Sequence, residues 1–367
     1  MKKHLIAVAV AAAVAVPATA QVRIYGSLDA SAVQTDNGPY SQTTVNSGYM
    51  TSSRLGFDGS EDLGGGLKAL FKLEGRLAFD GNGQLGTSTV VANGTTASTG
   101  MGVFNRDAYI GLSGGFGEVH IGTMETEASR QQTNASGVNI GLATAAFGSA
   151  FDSITGDRVP NSIRYISPNV AGLQVTVGGF QGEMNNSTAA STSSGSSYNG
   201  AQFAGVYSQG PFAVRMAQTV RQAPINTSST GRQKATVIGA RYNFGMADVG
   251  IMKYTVDPGS ATDNSRSATM LTFAVPVGGG LRVVGSYSAL EEQTGGSVYS
   301  TSTSRSGKAQ ALYLGAIKDL SKRTSVYAAL GQMNNNADGR FILNTGASMS
   351  ASNTDQSNYA VGIRHSF

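Results

Sequence analysis

The fold is decided by two similar runs, VFNRDAYIGLSGGFGEVHIGTM at residues 103–124 and RVPNSIRYISPNVAGLQVTVGGFQ at residues 158–181. In each run, apolar and polar residues alternate on both sides of a turn signal. The signal is Gly114 to Gly117 in the first run, and Pro168, Asn169 and Gly172 in the second. Alternation interrupted by Gly, Pro and Asn predicts two strands joined by a tight turn. We therefore predict two hairpins.

The segment between the hairpins, Glu125 to Asp157, reads as neither strand nor helix. It is rich in Ala, Gly, Ser and Thr. It contains four acidic residues, which include Glu127 and Asp152, and one arginine. A structureless connection of this length is uncommon in a compact domain and is usually functional or disordered. We expect it to fold back into a hollow barrel and to narrow it.

The motifs FNRDAYIGLSGGFGEVHIG and RVPNSIRYISP, together with a C-terminal Phe367, resemble the general porins of β-proteobacterial outer membranes. The resemblance covers the whole mature chain. It implies an outer-membrane porin, a water-filled channel for passive diffusion of ions and small hydrophilic solutes. It also implies a homotrimer in outer-membrane lipid, without a cofactor. Phe367 resembles the signal by which the barrel-assembly machinery recognises its clients.

The N-terminus has the features of a secretory signal peptide. Lys2 and Lys3 precede an apolar run from Leu5 to Val16, and small residues follow up to Ala20, so we expect cleavage after Ala20. The alternative, a membrane anchor, is disfavoured because the run is shorter than the ~20 apolar residues that a spanning helix needs. The predicted domains are therefore a signal peptide over residues 1–20 and a porin β-barrel over residues 21–367.

Composition argues against several other classes. Removal of the leader takes two lysines from the 26 basic residues, which leaves 24 against 22 acidic residues. Because the charge is near zero and no basic run carries interleaved aromatics, we expect no nucleic-acid partner. The chain has no Cys, and His120 and His365 are isolated, so no zinc spacing is present. No GxSxG motif supports nucleophilic catalysis, and we expect neither enzyme activity nor a metal site.

Sixteen segments read as strands. They predict an all-β fold, a 16-stranded antiparallel transmembrane β-barrel with an inward-folded constriction loop. Short and long connections alternate, which is typical of a barrel with tight periplasmic turns and longer outer loops. The predicted strands are Val22–Thr35, Gly48–Gly59, Leu67–Asp80, Val103–Gly114, Gly117–Met124, Ser162–Pro168, Gly172–Glu183, Tyr198–Gln209, Phe212–Gln222, Gln233–Gly245, Ala247–Val256, Ser267–Val277, Leu281–Gln293, Ala309–Leu320, Thr324–Asn334 and Asn358–Phe367.

Alternation with a period of two also predicts which way side chains point. In the third strand, apolar residues such as Phe71 and Leu73 share one face, while Lys72, Glu74 and Arg76 share the other. We interpret the first face as lipid-facing and the second as lining a water-filled lumen. Arg106 is in phase with apolar neighbours, so it lies beyond the lipid band, follows a bulge or faces a subunit interface.

The resemblance implies where the channel is narrowest. A barrel of 16 strands leaves an aqueous channel, and the inward loop would restrict it. The resemblance implies that acidic residues of the inward loop face arginines of the barrel wall. Two further arginines belong to the matched motifs. Fixed charges in a narrow passage select ions by sign. An excess of basic lumen groups predicts a weak anion preference, which the acidic loop opposes. The acids are Glu125, Glu127, Asp152 and Asp157, the wall arginines are Arg54, Arg76 and Arg164, and the motif arginines are Arg106 and Arg158.

Other functions remain as alternatives. A substrate-specific porin with an anion-binding site for phosphate or a dicarboxylate would differ from a general pore by saturable block with one solute. An outer-membrane enzyme would need an outward Ser and His pair, and His365 has no clear partner in the sequence. An autotransporter domain would need a large passenger region before the strands.

Overall fold

The computed structural model describes residues 21–38, 41–80, 84–85, 88–92, 95–99, 102–135, 158–181, 199–222, 232–259, 265–292, 307–339, 341, 343 and 354–367. The predicted leader, residues 1–20, lies outside these residues. Twenty strands and one helix are described within them. Across these same ranges, no helix is both long and apolar enough to cross a membrane.

The strands follow the alternating segments of the sequence. Their bounds are β1 Gln21–Asp36, β2 Ser41–Ser47, β3 Arg54–Gly64, β4 Leu67–Ala78, β5 Gln84–Leu85, β6 Ser88–Ala92, β7 Thr95–Thr99, β8 Ala108–Gly114, β9 Gly117–Glu125, β10 Arg158–Ile166, β11 Leu173–Phe180, β12 Asn199–Gln209, β13 Phe212–Gln222, β14 Arg232–Asn243, β15 Asp248–Asp257, β16 Arg266–Gly278, β17 Leu281–Glu292, β18 Gly307–Asp319, β19 Thr324–Asn335 and β20 Gln356–Ser366. The helix, α1, spans Glu127–Ala135.

Sixteen of the strands, β1, β3, β4 and β8 to β20, form a closed antiparallel barrel. Neighbours in the chain are paired around the sheet, and β20 returns to β1 with Leu28 opposite His365 and Ala32 opposite Val361. Because the first and last strands pair, the barrel leaves no strand edge without backbone partners. The predicted 16-stranded antiparallel barrel is confirmed. We call its two ends the turn end, where β3–β4 and β8–β9 connect tightly, and the loop end.

Three strand starts differ from the sequence prediction by four residues or more. The predicted second strand begins at Gly48, but Ser41–Ser47 forms the separate β2 against β1, and the barrel strand begins at Arg54. The fourth begins at Ala108 rather than Val103. The sixth begins at Arg158, before Pro160, and the register with β9 shifts between Val159 and Ser162. Pro has no N–H for the ladder, and a bulge there lets the strand continue.

The outer wall is apolar, as alternation predicted. Ile110, Ile121 and Ile163 lie opposite one another on β8, β9 and β10 and are 64%, 55% and 53% exposed. Their sequence neighbours on the other face, such as Arg164, are buried. An outer face of this kind suits contact with lipid.

The inner wall has two sectors, a charged one and one that holds a buried apolar cluster together with the ion pair between Arg266 and Glu292. The charged sector runs over β3 to β10. Over β14 to β19 the inward side chains include the fully buried Tyr254, Met270 and Met333. Tyr49 and Phe341, from connections at the loop end, join the same apolar cluster. The lumen is therefore not uniformly polar, because connecting residues fold inward and pack on this sector.

Candidate pore constriction

The start of the inward segment is helical and lies against the inner wall of the barrel. The sequence predicted neither helix nor strand after Glu125, but Glu127–Ala135 forms α1, and residues 136–157 lie outside the described residues. α1 packs against the inner faces of β12, β13 and β14. A Cβ placed on Gly239 of β14 would lie 2.7 Å from the Ala135 Cβ, so glycine is what allows this close approach.

Side chains of the barrel wall complete the N-terminus of α1. The first N–H groups of a helix have no partner within the helix. Here the Glu127 N–H donates to Gln202 Oε1 at 2.9 Å, and the Ala128 N–H donates to Thr219 Oγ1 at 3.2 Å. Thr126 caps the same end, since the Ser129 N–H donates to its Oγ1 at 3.4 Å. The wall therefore fixes both the start and the direction of α1.

A buried ion pair joins α1 to the charged sector. Arg164 Nε of β10 lies 3.0 Å from Glu127 Oε1, with 4% and 0% of the two side chains exposed. The contact is an ion pair rather than an aligned hydrogen bond. Arg164 also donates to the Glu125 carbonyl, and Arg130 lies 3.1 Å from the other Glu127 oxygen. We call Glu125, Glu127, Arg130 and Arg164 the helix cluster.

A second group, the wall cluster, surrounds the buried carboxylate of Glu74 on β4. Arg106 Nε donates to Glu74 Oε1, and Tyr25 Oη donates to Oε2 at 2.8 Å. Arg54 Nε and Lys72 Nζ each lie 3.7 Å from Oε2. Three cations and one hydroxyl thus converge on a single acid. The cluster consists of Arg54, Lys72, Glu74, Arg76, Arg106, Asp107 and Arg158.

Asp107 links the two clusters. Its carboxylate accepts a 3.0 Å hydrogen bond from Lys72 Nζ and another from the Glu125 N–H, and Arg158 Nε lies 3.9 Å away. Asp107 precedes β8 and lies outside the spanning strands. Burial alone would raise the pKa of its carboxyl group, but Lys72 and Arg158 outweigh burial and the pKa is lowered. Asp107 therefore stays ionised and fixes Lys72.

The predicted site residues fall into three sets. Glu125, Glu127 and Arg164 meet in the helix cluster, and Arg158 lies 3.8 Å from Glu125. The wall-cluster residues predicted from the sequence are Arg54, Arg76, Arg106 and Arg158. Arg76 lies opposite Arg54, and its N–H donates to Asn105 Oδ1. Asp152 and Asp157 lie outside the described residues. Their shared role in a constriction stays a prediction.

Sequence reasoning missed some of the site. Alternation places Lys72 and Glu74 on the lumen-facing side of their strand. No sequence pattern indicates that Asp107 belongs to the site. Arg106 is out of phase with a lumen-facing position only if the strand begins at Val103, as the sequence predicts. The strand begins at Ala108, so alternation does not apply to Arg106, whose side chain reaches Glu74.

In the wall cluster, cations face the water and the acid lies behind them. Arg54 and Lys72 keep 30% and 26% of their side chains exposed, whereas Glu74 keeps 5%. A solute in the lumen therefore meets positive charge first. No group of three or more His, Cys, Asp or Glu side chains suited to a metal ion occurs in the ranges that the structure describes.

The chain is similar in sequence to proteins of one family. The family model described as Gram-negative porin matches residues 7–338. The outer membrane porin protein 32 of Delftia acidovorans is 31% identical over 385 residues, with all of both chains covered. The major outer membrane protein P.IB of Neisseria gonorrhoeae is 31% identical over 183 residues, 48% of this chain and 47% of that protein.

Two solved structures are similar to the barrel. An anion-selective porin from Comamonas acidovorans superposes with a TM-score of 0.75 and 25% identity, over 95% of this chain and all of that one. OmpT of Vibrio cholerae, in a trimer form, has a TM-score of 0.66 at 17% identity, over 95% of this chain and 99% of its own. The latter supports the fold alone.

Proposed function

The chain belongs to the Gram-negative porins, outer-membrane channels through which ions and small hydrophilic solutes diffuse passively, and from this premise we propose that its constriction weakly prefers anions. It is a channel rather than an enzyme. The proposal assigns the selecting charges to the wall cluster and the narrowing of the lumen to α1 and the helix cluster.

The observation that carries the proposal is the difference in exposure between cations and acids. Arg54 and Lys72 reach the lumen, while Glu74, which neutralises part of their charge, is buried beneath them. An anion passing this wall interacts with the nearer positive groups more strongly than with the deeper negative one. The anion selectivity of the Comamonas acidovorans relative supports the same sign.

The mechanism is passage along fixed charges, without tight binding. Glu74 and Asp107 hold Arg54, Lys72 and Arg106 in place, so these cations do not reorganise as a solute passes. Charges lining a narrow passage with low-dielectric walls raise the local concentration of counter-ions. Conduction also requires that no single site hold the ion tightly, which partial neutralisation by the acids ensures.

Reversal potentials under a KCl gradient test the proposal. We expect the wild-type channel in a planar bilayer to favour chloride, and Arg54→Ala to reduce that preference. Arg323→Ala, in the turn between β18 and β19, removes the same charge away from the constriction and serves as the control. The preference should weaken as salt rises, since the Debye length falls to about 3 Å at 1 M. A clear cation preference in the wild type would contradict the proposal.

The alternative of a substrate-specific porin is separated by titration. A general pore gives no saturable block with phosphate or a dicarboxylate, whereas a dedicated binding site would give saturable block by one of them. The partial neutralisation of the wall cluster favours the general pore.

We also propose that the protein is a homotrimer whose subunits meet on the outer face of β1 and its neighbours. Val22 and Ile24 are 57% and 61% exposed there. Further along β1, toward the loop end of the barrel, lies a shallow apolar groove of about 660 Å³, and small side chains form its floor. Its lining includes Ala32, Leu314, Ala316, Ala328, Tyr359 and Val361.

The trimer proposal is tested by filling the groove. Ala32→Phe should weaken the trimer in unheated gel electrophoresis, whereas Ala240→Phe, on the outer face of β14 across the barrel, should leave it intact. Equal stability of both trimers would contradict this interface.

We further propose that residues 1–20 are a leader, so that the membrane form begins at Gln21. Mass spectrometry of protein purified from outer membranes tests this directly. A mass that retains the first 20 residues would contradict it.

A further inference from the structure

Asp29 of β1 is a buried acid that lacks a cation at close range. It is 0% exposed, and within the described residues no basic group lies at ion-pair distance from its carboxylate. Burial of a carboxylate is costly unless other groups compensate its charge. Here hydrogen bonds do so, because Tyr327 Oη donates to Oδ1 at 2.7 Å and the Thr51 N–H donates to Oδ2 at 2.9 Å. Thr51 belongs to a connection, so Asp29 joins that connection to the wall.

One side of β1 has two successive partners, and this connection lies between them. Toward the turn end β1 pairs with β3 as far as Arg54, and toward the loop end it pairs with β2 from Ser47 onward. Residues 48–53 interrupt the two partner strands and turn into the barrel, where Tyr49 and Met50 are buried in the apolar cluster of the inner wall. We call residues 48–53 the inward bulge.

Asp29 holds the inward bulge at its start, its middle and its end. The Asp29 carbonyl accepts a 2.8 Å hydrogen bond from the Gly48 N–H, and the Asp29 N–H donates to Ser53 Oγ at 2.9 Å. Between these two contacts, the carboxylate accepts the hydrogen bond from Thr51. Because the first and last residues of the bulge both bond to one residue of β1, the shape of the bulge depends on Asp29.

Arg54 follows the inward bulge directly and takes its orientation from it. Arg54 Nη1 donates to the Ser52 carbonyl at 3.4 Å, whereas Arg54 Nε lies 3.7 Å from Glu74 Oε2. The first contact draws the guanidinium group toward the bulge, and the second draws it toward the buried acid. If the bulge shifts, Ser52 moves while Glu74 stays in the wall. Arg54 then turns toward Glu74 and becomes less exposed to the lumen.

We infer that Asp29 is a positioning residue for ion selectivity, which keeps the Arg54 side chain exposed to the lumen by fixing the inward bulge. The inference rests on the proposed anion preference, in which Arg54 is one of the selecting charges. Asp29 is buried, so no solute contacts it, and its contacts act on selectivity through Arg54. A buried N–H that loses its acceptor is costly, so loss of the carboxylate rearranges the bulge around Thr51.

Ser53→Ala tests this role without changing any charge. The variant removes the hydroxyl that accepts the Asp29 N–H, which loosens the bulge beside Arg54. Reversal potentials at about 0.1 M KCl, where the Debye length is about 10 Å, give the permeability of chloride relative to potassium. We expect this ratio to fall by roughly 1.5-fold or more, because the fixed charge nearest to the passing ion sets the local concentration of counter-ions.

Ser288→Ala is the matched control. It also removes a buried serine hydroxyl of the inner wall, but on β17, which is separated from β1 by β18, β19 and β20. Its permeability ratio should equal that of the wild type. Heat-modified gel mobility checks that every variant is folded.

Asp29→Asn gives a second test, as a double-mutant cycle with Arg54→Ala. Loss of the acid by itself favours anions, whereas the release of Arg54 disfavours them. We expect Asp29→Asn to lower the permeability ratio in the wild-type background. It should not lower the ratio in the Arg54→Ala background, where only the direct effect of the lost charge remains.

The outcomes separate the positioning role from the proposed function. Equal ratios for Ser53→Ala and Ser288→Ala, or an equal effect of Asp29→Asn in both backgrounds, overturn the positioning role while the anion preference stands. If Asp29→Asn does not fold, the comparison of the two serine variants decides alone. If Arg54→Ala leaves the wild-type ratio unchanged, the proposed function fails first and the positioning role falls with it.

Discussion

At the scale of single residues, Glu74 determines how the wall cluster is organised. Tyr25 and three cations converge on this one buried carboxylate. Removal of one partner from a buried group of charges leaves the others without a counter-charge. The resulting loss of folding free energy is larger than the stabilisation that the intact ion pair provides. The arginines and lysine of the cluster are therefore held in place by an acid that solutes do not reach.

Glu74→Gln should destabilise the barrel and increase the anion preference. We expect a loss of about 1 to 3 kcal/mol in the free energy of unfolding, because Arg106, Arg54 and Lys72 lose their shared counter-charge. Urea unfolding in detergent, followed by circular dichroism, measures the first effect, and reversal potentials measure the second. Asp58→Asn is the control, since Asp58 pairs with the exposed Arg23. A Glu74→Gln barrel as stable as Asp58→Asn would contradict this role.

At the scale of elements, α1 depends on the wall for its position. Its nine residues, EASRQQTNA, form no apolar stripe. Burial of apolar surface therefore contributes little to the position of the helix. Its partners Gln202 and Thr219 are 75 and 91 residues away along the chain. Such distant capping is invisible to sequence patterns, which explains why this segment was not predicted as helix.

Arg164→Ala should release α1 from the charged sector and widen the pore. The variant leaves the buried Glu127 carboxylate without its closest cation, at a cost of about 3 kcal/mol or more. We expect a higher or noisier single-channel conductance at 1 M KCl, where screening suppresses direct charge effects and the current reports pore geometry. Arg323→Ala again provides the charge control. An unchanged, quiet conductance would show that Arg164 does not anchor the helix.

The outer isoleucine row, Ile110, Ile121 and Ile163, allows a test of lipid contact at the scale of neighbouring strands. Ile121→Arg should destabilise the barrel by about 2 to 4 kcal/mol if the row lies near the bilayer midplane, because a charge is then exposed to hydrocarbon. Reversible folding into lipid vesicles gives this free energy. Ile121→Leu keeps the apolar surface and should fold normally. An arginine variant as stable as the leucine variant would mean that this row does not face lipid.

At the scale of the whole molecule, the alternation of apolar and polar residues predicted the barrel because every strand has one face toward lipid. Outward residues such as Ile163 and Tyr359 contact a uniform solvent, so a period of two is enough to identify them. The inner wall follows no such rule. Tyr254 and Met333 belong to a buried cluster that includes Tyr49 and Phe341 from connections, and Arg164 pairs with Glu127 of α1. These contacts join distant parts of the chain, so the sequence predicted candidate site residues but not their partners.

Closure of the barrel depends on the chain terminus. Gly26 and Phe367 exchange two backbone hydrogen bonds of 3.1 Å, and a Cβ on Gly26 would lie 2.4 Å from the Phe367 ring. The terminal aromatic ring therefore covers a glycine at the seam between β1 and β20. This gives Phe367 a packing role that is separate from its predicted role as an assembly signal.

Phe367→Ala separates these two roles, since only one of them needs a cell. Loss of a half-exposed ring should reduce the stability of barrels refolded in detergent by about 1 to 2 kcal/mol, less than the ~3 to 5 kcal/mol typical of a buried Phe. If the barrel-assembly machinery recognises Phe367, the amount of the Phe367→Ala barrel in outer membranes should fall far more than this loss of stability explains. Phe367→Leu, which retains apolar packing at the seam, should restore refolded stability and leave the cellular defect. Proportional losses in detergent and in cells, with both restored by leucine, would assign Phe367 to the seam alone.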